Sequence, residues 1–218
     1  MGQSARWIRL GLVEPLELQA AYAGLASVQA PRAAPLVLWA QARSSFMSGL
    51  VRAEESHYVF ALIVPKRLAP GRAARWRAWA LAPVVATYRH FGLRAYLNGD
   101  DVCLNGRKIA ASGAATIGAC AVVASSLLTR FPVKRLAEGA AGSSAEFRSW
   151  LRDGLALAMT EWAGHAESLA ERAIEAVFRA RIEAQHGWQF ENSWPSRPEQ
   201  VAVDAARAEL AEPLAVMD

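Results

Sequence analysis

Apolar and polar residues alternate between two periods along this chain, and the change from one to the other marks its organisation. Glu17 to Val28 places Leu18, Tyr22 and Leu25 at helical spacing, and the proline-rich stretch from Gln29 to Pro35 ends that helix. Two short apolar runs follow, Leu36–Trp39 and Tyr58–Val64, the second bounded by Pro65; both predict strands. Between Ala69 and Gly92 the period becomes 3.6. Trp76, Trp79, Ala80, Val84, Tyr88 and Phe91 share one face, and Arg72, Arg75, Arg77 and Arg89 are left for solvent. Gly92 is the expected stop, and Pro83 predicts a kink or a late start.

A hairpin comes next. Asn105-Gly106 separates Asp101–Leu104 from Arg107–Ala110, and Asn-Gly between apolar runs is a strong signal for a tight turn. Val122, Val123, Leu127 and Leu128 predict a further strand within Ala119–Leu128. Helices follow. Ser143 and Glu146 have the spacing of a capping box, opening a helix with Phe147, Trp150, Leu151, Leu155 and Met159 on one side. A second is expected from His165 to Gln185 with Gly187 as its stop, and a third from Ser196 to about Ala211; Glu191–Pro198 reads as an exposed loop between them. Strands confined to the first 130 residues and helices afterwards predict an α/β (α+β) fold: a mixed sheet flanked by helices, with a C-terminal helical extension. The expected division is residues 1–164 for the main domain and 165–218 for the extension.

Composition narrows the class of function. The 218 residues are 53% hydrophobic and 20% charged, which excludes a disordered or fibrous chain. A formal net charge of +4, with basic residues scattered, is too mild to imply nucleic acid, and tryptophans at helical spacing are core residues before they are base-stacking ones. The uncharged stretch Ile109–Thr129 is long enough to span a membrane, but its glycines, serines and alanines make it only weakly apolar and it lacks flanking aromatic residues, so no membrane association is expected. The N-terminal residues contain no continuous apolar run of the signal-peptide kind. Cys103 and Cys120 are the only cysteines, too few for a disulfide framework, and a cytoplasmic location is expected. The four histidines are dispersed without an i, i+4 pair, so no metal site is expected.

The most specific segment is Asn98-Gly99-Asp100-Asp101-Val102-Cys103-Leu104-Asn105-Gly106-Arg107-Lys108-Ile109-Ala110-Ala111-Ser112-Gly113. It resembles the lipoate- and biotin-protein ligase superfamily, octanoyltransferases included. Members of that superfamily carry an Asn-Asp pair, an apolar strand, and a Gly-Arg/Lys-Lys-Ile/Leu-Ala/Ser-Gly hairpin whose lysine reaches the acyl carboxyl or acyl phosphate. The resemblance implies that Lys108 is that catalytic lysine and that Asp101 occupies the aspartate position, with Asp100 where asparagine is usual. Upstream, ligases have an Arg-Arg-x-Ser-Gly-Gly-Gly-x-Val-x-His-Asp segment before a Leu-Ile-Val-Pro-like strand end. Aligning Tyr58–Pro65 with that strand puts Arg43 on the first arginine, Gly49 on the last glycine, Val51 on the valine and Glu54 on the aspartate. The resemblance thus implies a substrate site lined by Arg43, Gly49, Val51, Asp101, Ser112 and Gly113.

The same alignment shows departures. Ser44 replaces the second arginine, Phe46 the serine, Met47 and Ser48 two glycines, and Ala53 the histidine. A phosphate cradle needs glycines so that N–H groups can approach without Cβ obstruction, and a second arginine supplies a bidentate donor. These losses count against acyl-adenylate formation from ATP. Downstream, Ala124–Leu128 lacks the ligase histidine, and Pro132–Gly142 lacks the cysteine of the octanoyltransferases; Cys120 lies one strand too early and reads as a buried small hydrophobe. The implied function is transfer of a lipoyl, octanoyl or biotinyl group to a lysine of a lipoyl or biotinyl carrier domain, with lipoate, octanoate or biotin as substrate. The alternative is a non-catalytic relative that binds an acyl- or biotin-like small molecule or an acceptor protein.

Overall fold

The computed structural model describes residues 2–42, 45–47, 51–53, 57–110, 112–129, 131, 133–140, 143–162 and 171–211. Its strands are β1 (Gln3–Val13), β2 (Leu36–Ala42), β3 (Ser45–Met47), β4 (Val51–Ala53), β5 (His57–Pro65), β6 (Tyr96–Asn98), β7 (Asp101–Leu104), β8 (Arg107–Ala110), β9 (Ser112–Ile117), β10 (Cys120–Leu128) and β11 (Trp188–Asn192). The helices are α1 (Pro15–Val28), α2 (Trp76–His90), α3 (Val133–Glu138), α4 (Ala145–Ala158), α5 (Glu171–His186) and α6 (Arg197–Ala211). The main sheet runs β11-β1-β2-β5-β10-β9, with β11, β1 and β2 parallel and the rest antiparallel. Strands β6-β7-β8 form a second, antiparallel sheet, and β3 pairs with β4.

The expected α/β architecture, a mixed sheet flanked by helices, is the one observed. The two apolar runs became central strands because they are apolar on both faces, as a sheet covered on both sides requires. Leu36, Leu38, Ala40, Ala61 and Ile63 pack with Leu18, Ala21 and Leu25 of α1 and Val203 of α6. Their alternates, Val37, Trp39, Phe60, Leu62 and Val64, join Val84 and Tyr88 of α2 and Ile174, Phe178 and Ile182 of α5 on the opposite face. Trp39 stacks on Tyr58 at 5.5 Å between ring centres, Trp7 stacks on Trp39 at 6.0 Å, and Phe178 enters between them, 4.6 Å from Phe60 and 5.2 Å from Trp39.

Six strands escape the sequence pattern: β1, β3, β4, β6, β9 and β11. Strand β1 is interrupted by the polar residues Ser4, Arg6 and Arg9, each of which meets an acid far along the chain. Arg6 grips both oxygens of Glu199 on α6 (2.5 and 3.1 Å), and Arg9 reaches Glu175 on α5 (2.5 Å). Burial alone would raise the Glu199 carboxyl, but the Arg6 guanidinium and the Ser196 backbone N–H and hydroxyl outweigh it and hold it below the ordinary carboxylate range. Strands β6 and β9 are a short edge and a Ser-Gly-Ala-Ala-Thr-Ile stretch of low β propensity. Strand β11 takes Glu191 and Asn192 out of the expected loop and pairs with β1; Trp194 beyond it is exposed, as expected. Helix α2 starts at Trp76 rather than Ala69, consistent with a late start, and Pro83 lies inside it.

One expectation for α4 needs correction. The cap of α4 is Ser144, whose Oγ accepts from Phe147 N–H at 3.1 Å, one residue after Ser143. On its apolar side Phe147 is 46% and Trp150 69% exposed, while Leu151, Leu155 and Met159 are partly buried. The start expected at His165 lies outside the described residues, whereas α5 ends at His186, before Gly187, as expected. The uncharged stretch Ile109–Thr129 holds the end of β8 and the paired strands β9 and β10, and no helix among the described residues is long and apolar enough to cross a membrane.

Helices α1 and α6 approach so closely that a Cβ on Gly24 would lie 2.5 Å from the Val203 Cα. The obstruction is backbone and cannot rotate away. Gly24→Ala is expected to lower stability by about 1–3 kcal/mol in urea unfolding, despite alanine's better helix propensity. A neutral or stabilising result would contradict this packing.

His186 sits between Trp79 (4.2 Å) and Trp188 (4.9 Å), with neither ring nitrogen hydrogen-bonded. Burial disfavours its charged form and pushes its pKa down to about 4 from 6.5. The unfolded chain therefore binds a proton that the folded one refuses, so stability is full above pH 6.5 and declines as pH falls from 6.5 towards 4. Thermal unfolding of His186→Phe should show a shallower loss across this window than the parent chain.

Candidate active site

The hairpin at Asn105-Gly106 forms as the sequence predicts. Both residues have positive φ, 51° and 78°, the combination a two-residue I′ turn demands and one that Asn-Gly supplies at little steric cost. Pairing Cys103 with Lys108 across this turn fixes which side chains share a face. Tyr96 and Asn98 of β6 pair with Cys103 and Asp101 of β7, so Tyr96, Asn98, Asp101, Cys103 and Lys108 lie on one face of the small sheet. Val102, Ile109 and Ala110 are fully buried in the core beneath it.

On that outer face the Lys108 ammonium meets the Asp101 carboxylate at 2.7 Å, each side chain about one-third exposed (33% and 39%). At this exposure the pair adds little stability; it sets position, holding the ammonium at one point above the sheet. The Lys108 backbone is fixed as well. Its carbonyl accepts from Thr160 N–H at 2.9 Å, and Lys108 bridges to Met159, so the segment after α4 runs alongside β8. Below, the buried Tyr88 hydroxyl accepts from Leu128 N–H (2.9 Å) and donates to the Ile109 carbonyl (3.2 Å), tying α2, β8 and β10 together. Burial pushes the Tyr88 hydroxyl pKa up, so it stays protonated.

The remaining site candidates are placed unevenly. Ser112 Oγ donates to the Asp100 carbonyl at 3.0 Å, joining β9 to the turn that leads into β7, and Asp100 itself pairs with Arg77 of α2. Gly113 is exposed on β9 opposite Ala124, and a Cβ there would meet nothing. Val51 stands opposite Met47 in the β3–β4 pair, while Arg43 and Gly49 lie outside the described residues. Asn98 was passed over as a site residue. Its side chain hydrogen-bonds the Cys103 thiol beside Asp101, a contact found from the cross-strand register and not from the motif.

Both thiols are held above their ordinary range. Desolvation raises Cys103 most, and the Asp101 charge raises it further, against smaller opposing effects from Asn98 and Lys108; Cys120 is fully buried and raised by burial. Among the described residues no group of His, Cys, Asp and Glu side chains is arranged to hold a metal ion.

No family model and no curated protein matches the sequence. Solved structures do. The bipartite lipoate protein ligase of Thermoplasma acidophilum superposes with a TM-score of 0.81 at 10% identity, over 95% of this chain and 93% of that one. A lipoate-protein ligase A bound with ATP gives 0.72 at 10% identity, over 96% and 95%. The biotin protein ligase of Aquifex aeolicus in complex with biotin and ATP gives 0.53 at 10% identity, over 84% of this chain and 70% of that one. This is the fold of the lipoate- and biotin-protein ligases. The likeness to the archaeal lipoate ligase runs over nearly the whole chain.

Thiol reagents test the electrostatics of the Lys108 face. In the folded protein at pH 7.5 both cysteines should react at least about a hundredfold more slowly than after denaturation. Rapid labelling of Cys103 in the native state would show that Lys108, not burial and Asp101, dominates its surroundings.

Proposed function

We propose that this chain is a divergent acyltransferase of the lipoate–biotin ligase type, which moves a lipoyl, octanoyl or biotinyl group onto a lysine of a carrier domain. The observation that carries this reading is the Lys108–Asp101 pair on the I′ hairpin, at 2.7 Å, in a chain with the ligase fold. A cytoplasmic location belongs to the same reading.

The chemistry follows from charge. When an acceptor amine attacks an acyl carbon, the C–N bond forms as electrons move onto the carbonyl oxygen, and the leaving group departs as that oxygen re-forms the double bond. A fixed ammonium beside the oxygen stabilises the charge only while it exists, and so lowers the barrier more than it tightens substrate binding. Asp101 holds the Lys108 ammonium in place without enclosing it, since both side chains keep an exposed portion. Arg43 and Gly49, on the connection from β2 to β5, are proposed to line the acyl group, with Val51, Ser112 and Gly113 beside them.

Loss of the glycines and of the second arginine from that connection supports a preactivated acyl donor over activation by ATP. A second reading is favoured by the same departures: with Met47 for glycine and Ala53 for histidine, the chain binds the acyl- or biotin-like ligand, or a carrier domain, without transfer.

Intact-mass spectrometry separates the two. An apo lipoyl domain and an apo biotin carrier domain are incubated with the protein and lipoate, octanoate or biotin with ATP, and separately with octanoyl carrier protein. The proposal predicts a mass gain with at least one donor, slowed about a hundredfold or more by Lys108→Ala. No gain with any donor would overturn transferase function for these substrates and leave the binding reading.

A further inference from the structure

On the opposite side of the small sheet from Lys108, residues of α2, α5 and β6 line a cleft of about 580 Å³. Its floor is apolar, formed by Ala82, Val85, Ala86 and Leu97, and its polar lining comes from Arg89, His90, Arg181 and Gln185. Two guanidinium groups therefore line one cavity that has no carboxylate in its wall. Among the described residues neither arginine has an acidic partner.

What the arginines touch instead is informative. Arg89 Nε donates to the Ala95 carbonyl at 2.7 Å, which anchors the guanidinium by one edge. Arg181 Nη2 lies 3.0 Å from His90 Nδ1, and since a guanidinium only donates, the ring nitrogen is the acceptor of that contact. The Arg181 Nε–H is buried without any acceptor, a costly state for a charged donor. Arg89 and His90 end α2, where the helix dipole favours cations, but that amounts to about half a negative charge against two full positive ones. The helix end does not neutralise the cleft.

We propose that this cleft binds a phosphomonoester carrying a small apolar or aromatic group. A dianionic phosphate would meet the donors of Arg89 and Arg181 beside the His90 ring, while its substituent lies on Ala82, Val85 and Leu97. The volume falls within the range of small-molecule sites, as does the pattern of an apolar floor with a few convergent donors. Phosphate is preferred to carboxylate because two arginines match two negative charges and offer more fork-shaped donors than one carboxylate accepts. The site is independent of Lys108 and stands or falls apart from the transferase reading.

Isothermal titration of the full chain with phenyl phosphate and with benzoate tests it at low ionic strength. Saturable 1:1 binding of phenyl phosphate is expected, tighter than benzoate, and weakened about tenfold or more by Arg181→Gln and by Arg89→Gln, with an intermediate loss in Arg181→Lys, which keeps the charge but not the fork. Lys108→Ala should bind as the parent does. Circular dichroism and thermal melting of the three arginine variants establish that they are folded, and Arg89→Gln, being at an exposed position, serves if Arg181 proves structural. No saturable binding up to about 10 mM, equal binding in the arginine variants, or tighter binding of benzoate would overturn the assignment.

Discussion

A single buried carboxylate governs how the two ends of this chain come together. Glu175, only 6% exposed, accepts a hydrogen bond from Trp7 Nε1 at 2.8 Å and another from Arg9 Nε at 2.5 Å. An ionised carboxylate in that position is tolerable only with its partners in place, and removing one leaves a buried charge at a cost of several kcal/mol. The pairing therefore fixes the rotation and height of α5 over β1. Three consequences follow along that helix. Phe178, one turn on, falls into the aromatic stack of Trp7, Trp39 and Phe60; Arg179 reaches the Phe190 carbonyl of β11 at 2.6 Å; and Arg181 turns to His90 across the α2 cleft.

The Lys108 hairpin depends on this frame through α2. That helix is packed against α5 on one side, and its Tyr88 holds the backbone of β8 and β10 from below. The small sheet is thereby fastened through buried hydrogen bonds, while its outer face carries an ammonium and a carboxylate at the water boundary. Such a division suits acyl transfer, in which a charge must be held still without being fully desolvated before substrate arrives.

Much of the fold was legible because burial on both faces leaves continuous apolar runs. β2, β5 and β10 announced themselves in that way, as did the Asn105-Gly106 turn through the φ values it requires. β1 did not, since the meaning of Arg6 and Arg9 lies in Glu199 and Glu175, more than 160 residues away. No local pattern encodes that distance. The C-terminal segment was legible as helices but not as part of the sheet, because β11 is only five residues long and its pairing with β1 is equally remote in sequence. At the site, the motif singled out Lys108 and Asp101, and the structure places them 2.7 Å apart. Asn98 was missed because its role appears only once β6 is registered against β7.

The central claim is that the Lys108 ammonium is positioned to meet an acyl carboxyl. The most direct measurement is a crystal structure of the protein with octanoate or lipoate bound. The account predicts a carboxyl oxygen within about 3 Å of Lys108 Nζ, with Asp101 still on the same face of the small sheet. An acyl group seated elsewhere, with Lys108 contacting only Asp101, would contradict it.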